Sequence, residues 1–210
     1  MKSIYIKPPK IVRFLFKDFI WENSKDEILI TIDDGPFPDI TSQILSVLNS
    51  NKVKALFFVT GKNVKENFIL FEQVIDAGHF VANHSFNHSR KMSKMELEEL
   101  RKEIISAESM ISFKSNFLKL FRPPYGKINF AMKSALKELN YKVMMWSLLS
   151  EDYLGDFEIV KRNIEKFLSK NSIIVFHNNP KSGKIIEASL EYTFNLAEKR
   201  GYKIGSTVNF

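Results

Sequence analysis

An alternation constrains this chain most. After residue 27, short apolar runs trade places with longer stretches whose apolar residues recur at helical spacing. The short runs are 28–32, 55–59, 80–82, 118–121, 143–146, 173–176 and 202–204. Brief, continuously apolar runs bounded by turn residues suit strands buried on both faces. Between them, 40–49, 64–77, 95–113, 130–139, 157–168 and 185–200 read as helices. Gly78 and Gly201 stand where a left-handed residue ends a helix. Ser93, with Glu96 three residues on, predicts a capping box at the start of 95–113. Strands alternating with helices make a parallel sheet with helices packed on it. Seven strand candidates in one domain suggest an α/β fold of the distorted (β/α) barrel type, with an open doubly wound sheet as the other arrangement. Neither a dinucleotide fingerprint nor a phosphate loop is present.

The residues able to do chemistry cluster just after strand candidates: Asp33–Asp34, His84–His88, Arg122–Gly126, Asp152 and His177. In parallel α/β folds the active site lies at the carboxyl ends of the strands, so these clusters are expected to converge on one mouth. Adjacent carboxylates at a strand end point in different directions, so one can bind a metal while the other stays free as a base. Asp, Gly and Pro also simply make turns, the plain alternative for TIDDGP. His84 and His88, four apart, can chelate one ion. With a carboxylate they form a His₂Asp set that leaves a coordination position open. In RPPYG the prolines stiffen the loop and Gly126 permits close backbone approach. Arg122 can grip a carboxylate with a two-pronged hydrogen bond, and a backbone N–H of the loop can face an oxyanion. His177 ends the apolar run IIVFH, where it can act as an acid or base near neutrality. His79 begins its strand at the opposite end and is read as structural.

Composition narrows the rest. The 210 residues contain no cysteine, so thiolate metal sites and disulfides are excluded and any metal has nitrogen and oxygen ligands. The formal net charge is +7. The lysines are scattered and no recognition motif accompanies them, so no nucleic-acid partner is expected. No apolar stretch is long enough to span a bilayer. Residues 1–21 join basic residues to an apolar patch (Ile11, Val12, Phe14, Leu15, Phe16), interrupted by Arg13 and Lys17. That is a poor signal peptide. The segment is expected to pack as a cover over the domain, with peripheral contact at a membrane surface as the alternative. The chain therefore divides into a cover segment, 1–27, and one domain, 28–210.

Taken in order, TIDDGP, HSFNH, RPPYG, the WSLLSEDY region and IIVFH resemble the motifs of the NodB-type polysaccharide deacetylases, carbohydrate esterase family 4. Each is modest alone; together they run from residue 31 to 177, and the likeness covers nearly everything beyond residue 27. The resemblance implies a distorted barrel of about seven strands and hydrolysis of N-acetyl groups on amino sugars of peptidoglycan, chitin-like or exopolysaccharide glycans. It implies Asp34, His84 and His88 as ligands of a divalent metal, commonly zinc, with cobalt or nickel also suitable. Asp33 would be the general base, held by Arg122. The Tyr125 N–H would help stabilise the oxyanion, and His177 would protonate the leaving amine. A monomer acting on a glycan is expected, in the cytoplasm or at the cell envelope.

Two positions depart from the family pattern. Leu149 and Asn178 stand where acidic residues are usual, and Asp152 lies further along. Losing negative charge there is expected to lower the pKa of His177 and slow the enzyme or retune its acid step. Two other classes of function stay open on sequence: a lapsed, sugar-binding relative, and an amidase for small non-sugar amides. The first would bind glycan without releasing acetate. The second would have a closed pocket.

Overall fold

Side chains alternate along a strand, so one sequence can serve two packing layers at once. In β1 (Glu27–Asp34), Ile28, Ile30 and Ile32 join one hydrophobic cluster. Leu29 joins a second, on the face it shares with Thr31 and Asp33. The same division recurs in β2 (Leu56–Val59), with Phe57 and Val59 on one side and Leu56 and Phe58 on the other. The computed structural model describes residues 5–205. Beyond β2 the strands are β3 (Phe80–Asn83), β4 (Phe117–Phe121), β5 (Lys142–Val143), β6 (Leu148–Leu149), β7 (Ile173–His177) and β8 (Lys203–Ile204). Seven of them follow one path, β5-β4-β3-β2-β1-β7-β6, with every ladder parallel, and β8 pairs with the start of β1.

The helices are α1 (Lys10–Leu15), α2 (Ile40–Ser50), α3 (Gly61–Glu66), α4 (Phe68–Asp76), α5 (Leu97–Ile111), α6 (Phe130–Glu138), α7 (Phe157–Phe167) and α8 (Ile186–Lys199). The first cluster takes in the buried apolar residues of α2, α4, α7 and α8. The second takes in those of α6, Leu100 and Ile104 of α5, and Phe19 and Trp21 from ahead of β1.

The sheet curls into a distorted barrel that no ladder closes. Its outer strands, β5 and β6, are separated by only residues 144–147, so the chain itself spans the seam in a distance of about 18 Å at most. The N-terminal segment lies along this seam. Ile20 pairs with Met144 in parallel, donating its N–H to Val143 O (2.9 Å) and accepting from Met145 N (2.8 Å). Further back, Ile6 O accepts from Leu149 N (2.9 Å) and Tyr5 O from Trp146 Nε1 (3.1 Å). Residues 1–4 of the expected cover segment and 206–210 of the expected domain lie outside the described residues.

Three local expectations are corrected, and one element is added. The extended run at 143–146 is strand only over Lys142–Val143, because the chain then leaves one sheet edge for the other and forms β6. The helix expected at 64–77 is two, broken at Asn67 (φ −131°), whose side-chain amide donates to Pro36 O and Asn63 O. Ser93 makes no capping box; it lies in a 3₁₀ turn, Met92–Lys94, and α5 begins at Leu97. The short helix α1 was not among the elements expected from the sequence. Gly78 and Gly201 do end their helices at left-handed φ (77° and 67°).

Candidate active site

Strand register gathers the chemistry. Asp33 pairs with Phe58 of β2 and His177 of β7, Asp34 with Val59, and Val59 with Asn83. The carboxyl ends of β1, β2, β3 and β7 therefore finish level, and the residues that follow surround one cavity of about 710 Å³. Asp33, Asp34, His84, His88, Tyr125 and His177 all line it.

The two carboxylates diverge. Asp33 keeps the strand's course, is 4% exposed, and accepts from Arg122 Nη1 through Oδ1 (2.6 Å). At Asp34 the backbone turns into the left-handed region (φ 80°) and carries the carboxylate toward the histidines. Asp34 Oδ1 lies 3.3 Å from His88 Nε2 and 3.8 Å from His84 Nε2. Asp34 Oδ2 accepts from Asn179 Nδ2 (2.7 Å).

His84 and His88 sit on a compact loop rather than a helical turn, with Ser85 and His88 both at positive φ (69° and 51°). His84 Nδ1 lies 2.6 Å from the carbonyl of Arg122. A carbonyl only accepts, so Nδ1 carries the hydrogen and Nε2 presents a lone pair. Burial, with His88 adding, holds the His84 pKa well below its ordinary value, so the ring is neutral. One donor atom from each of Asp34, His84 and His88 falls within 4.8 Å of the others. A carboxylate oxygen and two neutral imidazole nitrogens, the first His and the Asp each steadied by an outer hydrogen bond, fit a divalent transition metal with an open position.

Arg122 is the largest fully buried side chain, with its guanidinium 4.1 Å from the Phe58 ring centroid. The expected two-pronged grip on a carboxylate is corrected. Nη1 is shared by Asp33 Oδ1 and Thr31 Oγ1 (2.8 Å), while Nη2 and Nε are taken by the carbonyls of Met145 (2.8 Å) and Met144 (3.2 Å). Those carbonyls belong to the seam, so Arg122 ties Asp33 to the barrel's closure. In the following turn, Pro124–Gly126, Tyr125 adopts φ 58° and its ring lies 4.6 Å from that of His88. Gly126 is required there: at φ 63°, a Cβ would stand 2.4 Å from the Trp146 ring.

His177 departs from expectation. Its Nδ1 meets Asp152 Oδ1 at 2.7 Å, and its backbone N–H donates to Asp152 Oδ2 (2.8 Å). Asp152 is fully buried and also accepts from Ser150 Oγ (2.8 Å). Burial alone pulls the His177 pKa down, but the charge and hydrogen bond of Asp152, with Asp34 and Asp33 beyond, reverse this and raise it to about 9. The predicted lowering is overturned because Asp152 supplies the acid that Leu149 does not. Leu149 instead forms apolar wall, and Asn178 turns its amide to Thr41 Oγ1 (2.9 Å) beneath Gly35. His79 is structural as expected: it is buried, accepts from Ala55 N–H at Nδ1 (3.2 Å), and burial lowers its pKa to about 4. Sequence reading missed Asn179, which no motif marks.

Comparison with known proteins gives the family. Residues 22–144 match the family model described as polysaccharide deacetylase. A peptidoglycan-N-acetylglucosamine deacetylase of Bacillus cereus is 31% identical over 188 residues, covering 87% of this chain and 88% of its own. A peptidoglycan-N-acetylmuramic acid deacetylase of Bacillus subtilis is 33% identical over 148 residues, covering 70% of this chain but only 31% of its own. The crystal structure of a peptidoglycan N-acetylglucosamine deacetylase bound to an N-hydroxybenzamide superposes with a TM-score of 0.84 at 25% identity, covering 94% of both chains. The chain belongs to the polysaccharide deacetylase family.

Proposed function

We propose that this protein is a metal-dependent hydrolase that removes acetyl groups from N-acetylated amino sugars of a glycan, peptidoglycan foremost. One observation carries the reading: the Asp34–His84–His88 donor set shares a cavity with an arginine-held carboxylate on one side and a carboxylate-held histidine on the other. Peptidoglycan comes first because the similar enzymes named above act on it.

Asp34, His84 and His88 would hold the ion, zinc foremost. When bound, it supplies the Lewis acidity that an unreactive acetamide carbonyl needs. The other steps belong to the chain. Asp33, held in place by Arg122, takes a proton from water as the water oxygen bonds to the acetyl carbon. The Tyr125 N–H donates to the carbonyl oxygen as negative charge gathers there; one such donor typically contributes about 3–4 kcal/mol. His177, charged at neutral pH through Asp152, gives its proton to the sugar nitrogen as the C–N bond breaks. Acetate and the free amine leave, Asp33 sheds its proton to solvent and His177 regains one.

Acetate release from chitin oligomers and from peptidoglycan, with and without chelator and added Zn²⁺, tests this beside Asp33→Ala. Zinc-restored release that is lost in the variant supports the reading. Zinc binding without release from either glycan directs it to another amide. Neither binding nor release leaves a lapsed sugar-binding relative.

A further inference from the structure

The N-terminal segment has two apolar faces, and the fold uses only one. Phe19 and Trp21 are buried in the second cluster, and Val12 and Phe16 pack against it. On α1, Ile11, Phe14 and Leu15 point away from the protein, 68%, 76% and 67% exposed. Spaced i, i+3 and i+4, they form one stripe. The stripe is held, not frayed. Ahead of it, Tyr5 and Ile6 are hydrogen-bonded to Trp146 and Leu149. Within it, Arg13 bonds Glu22 (2.7 Å), and behind it Trp21 Nε1 donates to Phe16 O (2.9 Å).

The surrounding charge has one sign. Lys7, Lys10 and Lys17 are exposed, and none makes a salt bridge among the described residues. The nearby acids are neutralised, Glu22 by Arg13 and Asp18 by Lys133 (3.0 Å). An apolar stripe flanked by free lysines is complementary to a bilayer with anionic headgroups: the side chains enter the headgroup boundary and the lysines meet phosphate. We propose that α1 docks this protein on an anionic phospholipid surface. Leu149 and Trp146, which hold Ile6 and Tyr5, also line the cavity. Because α1 begins four residues after Ile6, docking keeps the cavity close to the bilayer and to glycan held there.

Co-sedimentation of the full chain with vesicles tests this. Vesicles of phosphatidylcholine with one third phosphatidylglycerol should bind the protein at least tenfold more tightly than pure phosphatidylcholine, and added salt should weaken the binding. The triple variant Ile11→Ser, Phe14→Ser, Leu15→Ser should lose roughly tenfold or more, and Lys10→Gln with Lys17→Gln should erase the preference for phosphatidylglycerol. These positions are exposed, so each variant should melt as the parent does. Phe14→Trp gives an independent reading, since its fluorescence should shift to the blue on anionic vesicles. Absent binding, unchanged binding by the triple variant, or no spectral shift overturns the proposal. A concentration-dependent dimer dispersed by the triple variant would instead make a second copy the occupant of the stripe. Acetate release enters none of these readouts, so the docking proposal and the deacetylase reading stand or fall separately.

Discussion

His177 sits between opposed influences, and which one wins has a visible consequence. Burial favours the neutral ring, yet the Asp152 carboxylate at 2.7 Å lifts the pKa to about 9. A cation at Asp34, His84 and His88 would draw the value back toward neutrality, so the alkaline limb of the rate profile should fall below that figure. Asp152→Asn removes the stabilising charge. It should move the alkaline limb to lower pH by a unit or more and reduce kcat at neutral pH about 10²-fold or more, read from kcat against pH. The metal-free protein gives the same pair a second signature. A histidine whose pKa is raised on folding stabilises below its unfolded value, near 6.5, and that contribution is lost as pH rises through about 9. Denaturant unfolding at pH 6 and pH 10 should show this loss in the parent and much less of it in Asp152→Asn. Asn179 makes a separate prediction. It occupies the one Asp34 oxygen turned away from the histidines, so Asn179→Leu should weaken zinc binding about 10–100-fold, measured by competition with a chelating dye. Neither residue was assigned its role from sequence, and the reason is physical. Asp33, Asp34 and His177 announce themselves by following apolar runs directly, and His84 and His88 by the short spacing that follows another. Asp152 and Asn179 act through partners 25 and 145 positions away, a proximity that only the folded sheet creates.

At the scale of elements, strands were easier to read than helix beginnings. A buried strand writes itself as an apolar run, and six of the seven expected runs became single strands at nearly the expected residues. The seventh, 143–146, failed because hydrophobicity reports burial, not pairing: Met144, Met145 and Trp146 are all buried while crossing between sheet edges. Helix starts depend on single side chains, so Ser93 could satisfy a capping pattern without capping anything. The turn after β4 shows a local pattern that was legible. Proline and glycine in RPPYG announced a rigid turn, and the structure adds that Gly126 is pressed against Trp146 at positive φ. Gly126→Ala should therefore cost about 1–3 kcal/mol of stability, seen as a lower denaturation midpoint. Because Tyr125 adjoins it, kcat should fall by more than the loss of folded protein accounts for.

For the whole molecule, the decisive feature is that the barrel is closed by chain rather than by a ladder. Arg122 reaches from beneath Asp33 to the carbonyls of Met144 and Met145, and Ile20 hydrogen-bonds on both sides of that same stretch. The seam thus links the N-terminal segment to the candidate base through one fully buried guanidinium. Trp21 anchors the segment: it is 7% exposed, joins the second cluster, and stacks near Phe19 at 6.3 Å between ring centroids. Trp21→Ala should cost about 3–5 kcal/mol, the range for truncating a large buried aromatic side chain. Its effect should also reach the active site. Loosening residues 144 and 145 frees Arg122 from two of its partners, and the Asp33 carboxylate loses its fixed position. Activity measured where the variant is still fully folded should then fall while zinc affinity holds, because Asp34, His84 and His88 are positioned by β1, β3, Asn179 and the main-chain carbonyl of Arg122 rather than by its guanidinium. Parallel loss of both would mean that the N-terminal segment supports the sheet as a whole; loss of activity alone would place its influence on the seam.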